Sequence, residues 1–91
     1  MYKTYALYSE SADRIYVGQT DDLEKRIAQH NGLIGNYSSW TKKYRPWQLL
    51  HFDEFETRKE AIIRENELKT GVGREFLRGI LAKNKNSQPG S

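Results

Sequence analysis

The chain has 91 residues, which is enough for one domain and too few for two of ordinary size. It contains no cysteine, and this excludes disulfides, thiolate metal sites and thiol nucleophiles. Lys and Arg exceed Asp and Glu by three, a mild positive charge that permits nucleic-acid binding without requiring it. No apolar run approaches the length of a membrane span, and the first residues lack a signal-peptide pattern, so we expect a cytoplasmic protein without a membrane partner.

The first 20 residues predict an antiparallel β-hairpin. Tyr2–Ser9 form the first strand, and apolar residues with a period of two indicate a second strand that starts at Arg14. In the simplest register, a loop formed by Ser9–Ala12 joins the strands and places Tyr5 directly opposite Tyr16. Because directly opposed side chains share a face of the sheet, we expect the two phenols side by side.

The next segment predicts a helix that carries two unusual side chains on its inward stripe. The candidate N-caps are Thr20, Asp21 and Asp22. At about 100° per residue, the inward stripe consists of Leu23, Arg26, Ile27 and His30. Charged groups seldom enter a core without a partner. We therefore expect Arg26 and His30 to face the edge of the sheet or a cleft. Asn31 and Gly32 are a plausible C-terminal cap.

Residues 33–45 show neither helical nor strand periodicity, and their length suggests a functional loop. Rings and cations alternate near its end, at Tyr37, Trp40, Lys42, Lys43, Tyr44 and Arg45. This pattern is typical of a nucleic-acid contact, with Trp40, Lys42, Lys43 and Arg45 as the binding residues. The alternative is that Trp40 covers a small core while the cations are simply solvated.

The last part of the chain predicts a third strand and two helices. Pro46 precedes the strand, which runs from Trp47 to Phe55. Thr57 and Glu60 have capping-box spacing for the next helix, which Gly71 and Gly73 end. Its inward stripe combines three apolar residues with one acid, Ala61, Ile62, Leu68 and Glu65. The last helix spans Arg74 to Asn84 and packs through Phe76, Leu77, Ile80 and Leu81. We expect one domain over residues 1–83 and a disordered tail over residues 84–91.

Five segments in this order resemble a known family: YALYS, IYVG, DLEKRIAQHN, RPWQLLHFDEF and EAIIRENELK. Their order and spacing are similar to the GIY-YIG nuclease superfamily, in particular to its small single-domain branch, which is often likened to the nuclease domain of UvrC. The resemblance covers about Tyr2 to Leu81. It implies an α+β fold, with a three-stranded antiparallel sheet flanked by helices. It also implies an endonuclease that hydrolyses DNA, branched or structured DNA included, in repair or recombination.

The resemblance assigns a role to each of five residues. Tyr5 matches the tyrosine of the first motif and helps to deprotonate the attacking water, while Tyr16 positions that water. Arg26 and His30 stabilise the phosphate, as a guanidinium fork can do through two hydrogen bonds. Glu65 holds Mg²⁺ or Mn²⁺, since one carboxylate suffices when water and phosphate supply the other ligands.

This chain departs from the family pattern at three places. Lys-Thr precedes Tyr5 where the family has Gly-Ile, and Gln19 follows the glycine where several relatives carry lysine. A late asparagine of some relatives has no secure counterpart, because Asn84 and Asn86 lie in the poorly patterned end of the chain.

The same residues also have structural interpretations. Tyr5 and Tyr16 can be aromatic core residues, Arg26 can form an ion pair with Glu65, and His30 can be a buried core histidine. The corresponding alternative function is a binding module of the same fold that holds nucleic acid without cleaving it. Binding to a protein partner, which the sequence does not identify, is a further alternative.

Overall fold

The computed structural model describes residues 1–33 and 43–86, with side chains to residue 84. In chain order its elements are β1 (Tyr2–Ser9), β2 (Arg14–Thr20), α1 (Leu23–His30), β3 (Trp47–Phe55), α2 (Arg58–Leu68) and α3 (Gly71–Asn86). The strands form one antiparallel sheet in the order β2-β1-β3. This α+β architecture confirms the predicted fold class; β1 and β3 have the predicted extents, and β2 starts at Arg14 as predicted.

The register of the hairpin differs from the prediction. The turn is formed by Glu10–Asp13 rather than by Ser9–Ala12, so Tyr5 lies opposite Gly18 and its predicted pairing with Tyr16 is wrong. The shift is two residues, and a shift by two leaves each side chain on its original face. The two phenols therefore still share a face, as diagonal neighbours with ring centroids 6.3 Å apart.

The turn closes where it does because of Asp13. This residue has a φ of 50°, in the left-handed region that aspartate tolerates better than most residues. Tyr8 donates a hydrogen bond to its carboxylate at 2.8 Å, and Arg78 of α3 donates to the same oxygen at 2.7 Å. The turn is thus fixed partly by a contact with a residue 65 positions further along the chain.

The helices cover both faces of the sheet. On one face, α1 packs on a core of Tyr5, Leu7, Leu23 and Trp47. On the other face, α2 and α3 pack on a core of Ala6, Val17, Leu68 and Leu77. The Thr4 hydroxyl also donates to the Ala61 carbonyl oxygen at 2.6 Å, which ties α2 to the central strand.

The helix ends follow the predicted caps. Asp22, the last of the three candidates, is the N-cap of α1 and accepts from the Lys25 backbone N–H at 3.1 Å. Asn31 is the C-cap of this helix. Thr57 caps α2 and accepts from the Glu60 N–H at 3.3 Å.

The corner between α2 and α3 is tighter than predicted. The second helix ends at Leu68, and the third begins at Gly71, three residues earlier than expected. A Cβ at Gly73 would lie 2.5 Å from Leu68 Cα, so only glycine permits this close approach. At its other end α3 continues to Asn86, two residues past the prediction and into the expected tail, while residues 87–91 lie outside the described residues.

The inward stripes are narrower than predicted. In α2, Ala61 and Leu68 are buried, but Ile62 is 40% exposed. The contact line runs through residues 61, 65 and 68, and residue 62 lies about 100° away from residue 61. In α3, Leu77 is buried and Phe76 is 45% exposed.

Candidate active site

Three of the five predicted site residues meet between α1 and the sheet. Tyr5 Oη and His30 Nε2 are hydrogen-bonded at 3.0 Å. The ring of Tyr16 lies 4.6 Å from the His30 ring, measured between centroids. Tyr5 and His30 are completely buried, whereas Tyr16 is half-buried at the edge of the cluster. We call these three residues the ring cluster.

Gly18 makes room for the ring cluster. A Cβ at this position would lie 2.7 Å from Tyr5 Oη and 3.2 Å from Tyr16 Cε1. The phenol of Tyr5 therefore passes directly over β2, at a position where any larger residue would displace it. The glycine of the YVG segment is needed to bring Tyr5 to His30.

Trp47 and Asn31 complete the cluster, and the sequence analysis did not single them out as site residues. The indole ring of Trp47 lies 6.3 Å from the Tyr16 ring and 6.5 Å from the His30 ring. The Asn31 amide bonds both backbone groups of Trp47: Oδ1 accepts from its N–H at 2.5 Å, and Nδ2 donates to its carbonyl at 3.2 Å. This bond pair fixes the end of α1, and with it His30, against the start of β3. The sequence did offer a signal for Trp47, because tryptophan is a type of residue that is usually buried and this one directly follows a proline.

Burial keeps His30 neutral. The pKa of His30 is lowered from 6.5 to about 4, mainly because burial removes the ring from water and secondly because Arg26 is positively charged. At neutral pH the imidazole thus carries no charge, and it is hydrogen-bonded to the hydroxyl of Tyr5. Arg26 is thus a charge that acts on the imidazole of the ring cluster.

Glu65 lies on the other face of the sheet, on α2. Its side chain is only 19% exposed, and its Oε2 accepts from Lys69 Nζ at 2.7 Å. Lys69, rather than Arg26, is therefore the partner that the structure gives this carboxylate. Glu65 does not belong to the ring cluster.

A groove lies between the outer strand β2 and the corner of α2 and α3, and we call it the β2 groove. Its volume is about 250 Å³, and its lining residues are Ile15, Tyr16, Val17, Leu68, Lys69, Arg74 and Leu77. Tyr16 thus belongs both to the ring cluster and to this groove. Two of the lining residues, Lys69 and Arg74, are cations. An open, partly apolar groove with cations in its lining suits a polyanion with flat rings.

Comparison with known proteins identifies the family of this chain. The family model of the GIY-YIG catalytic domain matches residues 1–76. The chain belongs to the GIY-YIG family. The resemblance drawn from the sequence motifs is thereby confirmed.

Relatives of this GIY-YIG chain include several UPF0213 proteins. It is 38% identical to one from Staphylococcus haemolyticus over 81 residues, which cover 88% of this chain and 96% of that protein. It is 40% identical to one from Haloquadratum walsbyi over 60 residues, or 66% of this chain and 65% of that protein. A similar solved structure is the solution NMR structure of a UPF0213 protein from Bacillus halodurans, with a TM-score of 0.50, 26% identity and coverage of 88% and 85%.

The GIY-YIG chain offers few ligands for a metal ion. Within residues 1–33 and 43–86, no group of three or more His, Asp or Glu side chains is placed to hold one. Glu65 is thus a single carboxylate, and this donor set fits an ion such as Mg²⁺ only if water and phosphate oxygens supply the remaining ligands.

The predicted contact loop is only partly visible. Lys43 and Arg45 are exposed, and Lys43 Nζ lies 5.7 Å from the centroid of the Tyr44 ring. Tyr44 packs against the core on the α1 face. Trp40 and Lys42, with Tyr37, lie outside the described residues.

In the part of the chain that is described, no helix has the length and apolar character needed to cross a membrane.

Proposed function

We propose that this GIY-YIG chain is a divalent-metal-dependent endonuclease that hydrolyses DNA phosphodiester bonds. The observation that carries the proposal is the ring cluster: a buried, neutral histidine that is hydrogen-bonded to one tyrosine and lies 4.6 Å, between ring centroids, from a second tyrosine, which lines a groove together with two cations. Burial of an imidazole whose pKa is thereby lowered costs stability below about pH 6. A purely apolar side chain would fill the same space without this cost, so the cluster is better explained by chemistry than by packing.

The substrate backbone is expected to lie along β2. Lys69 and Arg74 in the groove lining attract phosphates. Arg26, on the α1 side of Tyr16, is suited to grip the scissile phosphate through two hydrogen bonds and to offset the charge that develops on it. Because few base edges can reach so small a surface, backbone shape rather than sequence should decide what is cut.

The two tyrosines exchange the roles that the sequence analysis gave them. Tyr5 is completely buried, and its hydroxyl is hydrogen-bonded to His30. Tyr16 lines the groove where water and phosphate can enter. A general base must lie within hydrogen-bond reach of the proton that it accepts. We therefore propose that Tyr16 takes the proton of the attacking water.

Tyr5 and His30 are positioning residues in this proposal. Their hydrogen bond fixes the imidazole, which contacts the Tyr16 ring at 4.6 Å between centroids and so holds that ring in place. Because His30 is neutral at pH 7, it does not contribute a positive charge to the phosphate, and that role falls to Arg26 and to the groove cations Lys69 and Arg74.

Glu65 is the residue that would hold the metal. When bound, a divalent cation polarises the phosphodiester and the water beside it. Glu65 supplies one carboxylate, and the DNA phosphate supplies further oxygen ligands, so we expect weak metal binding in the free protein and tighter binding with DNA present.

A nuclease assay tests the proposal. Duplex, flap and branched DNA are incubated with the protein and Mg²⁺ or Mn²⁺, and EDTA serves as the control. We expect metal-dependent cleavage by the wild type, and at least a hundredfold loss in Glu65→Gln with little change in DNA binding. Glu67→Gln, which changes an exposed acid on the same helix, is the matched control and should cleave normally.

Two results would contradict the assignment. Cleavage by Glu65→Gln at the wild-type rate would remove Glu65 from the metal site. Salt-dependent DNA binding without cleavage in either metal would favour the alternative, a nucleic-acid-binding module of the same fold.

A further inference from the structure

Lys69 forms an ion pair with Glu65, the carboxylate that the proposed function assigns to the metal. Lys69 is the C-cap of α2, one helical turn past Glu65, and its Nζ lies 2.7 Å from Glu65 Oε2. The Glu65 side chain is 19% exposed and the Lys69 side chain is 49% exposed. A divalent cation and an ammonium compete for the same negative charge, so metal binding at Glu65 requires this ion pair to loosen.

Lys69 also has a second possible binding partner, because it lies beside a groove. It lines the β2 groove together with Tyr16 and Arg74. Lysine is a compact charge on a flexible stem of four methylenes, and a half-exposed lysine can change partner with little change in packing. An arginine, with its rigid fork, would be a poorer choice for such an exchange.

We propose that Lys69 is an exchangeable cation. In the free protein it neutralises Glu65, and when a divalent cation binds Glu65 it transfers to a DNA phosphate in the β2 groove. This inference rests on the proposed function and deepens it, because it names a phosphate contact at the groove and a reason why metal and DNA should bind cooperatively.

The exchange is energetically accessible. An i,i+4 ion pair at a protein surface contributes less than about 1 kcal/mol, which corresponds to about a fivefold effect on a competing equilibrium. A phosphate contact replaces the pair once DNA is bound, so the ammonium does not lose its counter-charge. Loss of Lys69 should therefore raise metal affinity and weaken DNA binding, two effects of opposite sign that a merely structural lysine would not produce.

The test compares Lys69→Met with the wild type, and Lys59→Met is the matched control. Lys59 is an exposed lysine on the same helix, and its removal changes the net charge equally. Mn²⁺ is titrated into each protein without DNA, and the paramagnetic broadening of the backbone amide signals around residue 65 is followed by NMR. We expect a three- to fivefold rise in Mn²⁺ affinity for Lys69→Met and less than a 1.5-fold change for Lys59→Met.

The second readout is the salt dependence of DNA binding. It is measured in one series with EDTA and in a parallel series with Ca²⁺ and no EDTA. The logarithmic salt slope of Lys69→Met should match the wild type in EDTA, where Lys69 is held by Glu65. With Ca²⁺ it should be smaller than the wild-type slope by about 1, the effect of one phosphate contact. Equal Mn²⁺ affinities for Lys69→Met and the wild type, or equal salt slopes with Ca²⁺, would overturn the proposal.

A failure of this inference can be told apart from a failure of the proposed function. If Glu65→Gln abolishes the Mn²⁺-dependent broadening while Lys69→Met leaves it unchanged, the metal site stands and only the exchange is refuted. If Glu65→Gln leaves the broadening unchanged, the metal site itself is refuted, and the role of Lys69 falls with it.

Discussion

His30 should make the stability of the protein depend on pH in a range where few other groups titrate. The folded protein keeps its imidazole neutral down to about pH 4, whereas the unfolded chain takes up the proton near the ordinary pKa of 6.5. Between these values the unfolded state binds more protons, so the free energy of unfolding falls as the pH falls. From the two pKa values, the loss between pH 7 and pH 5 is about 2 kcal/mol.

Urea denaturation at pH 7 and at pH 5 measures this effect, with tryptophan fluorescence as the probe. The wild type should lose about 2 kcal/mol over this interval, and His30→Gln should lose much less, because glutamine does not titrate. The variant is expected to be less stable at pH 7, and only the difference between the two pH values is compared. His51→Gln is the control, since it removes the other histidine of the chain, a half-buried residue hydrogen-bonded to Asp53.

An equal loss in the wild type and in His30→Gln would refute the reasoning. It would mean that His30 is protonated in the folded state at pH 5, and then neither its burial nor Arg26 controls its charge. The assignment of His30 as a neutral positioning residue would have to be abandoned in that case.

Two further predictions concern the ring cluster. In single-turnover cleavage measured against pH, Tyr16→Phe should lose at least about a hundredfold, the usual contribution of a positioned acid–base group, while Tyr5→Phe should lose less and keep the shape of the pH profile. If Tyr16→Phe cuts at the wild-type rate, Tyr16 is not the base and Tyr5 becomes the candidate again. Gly18→Ala should lower the free energy of unfolding by about 1–3 kcal/mol, because its Cβ would lie 2.7 Å from Tyr5 Oη. Thermal or urea denaturation measures this change, and an unchanged midpoint would show that the phenol can move aside without cost.

The sequence by itself determined the elements and most of their ends. A period of two over Tyr2–Ser9, and capping residues such as Asp22 and Thr57, are local signals that act over a few residues. The inward placement of His30 followed from helical spacing alone. The family was also evident, because the order of short motifs along the chain does not depend on how they pack.

The hairpin register needed the tertiary structure. The turn is closed by Asp13, which is held by Tyr8 and by Arg78 from the last helix. No local pattern reports a contact between residues 65 positions apart. The error was harmless to the site, since a shift by two residues preserves the face on which Tyr5 and Tyr16 lie.

The chemistry of the site also depended on the tertiary structure. Sequence patterns place side chains on a face, but only packing decides how much of each stays in contact with water. Burial by α1 and Trp47 removes Tyr5 from solvent and keeps His30 neutral, while the outer position of β2 leaves Tyr16 at a groove. Solvent access and electric field are properties of the whole assembled fold, and for this reason the sequence could name candidate residues but not the surroundings in which each of them lies.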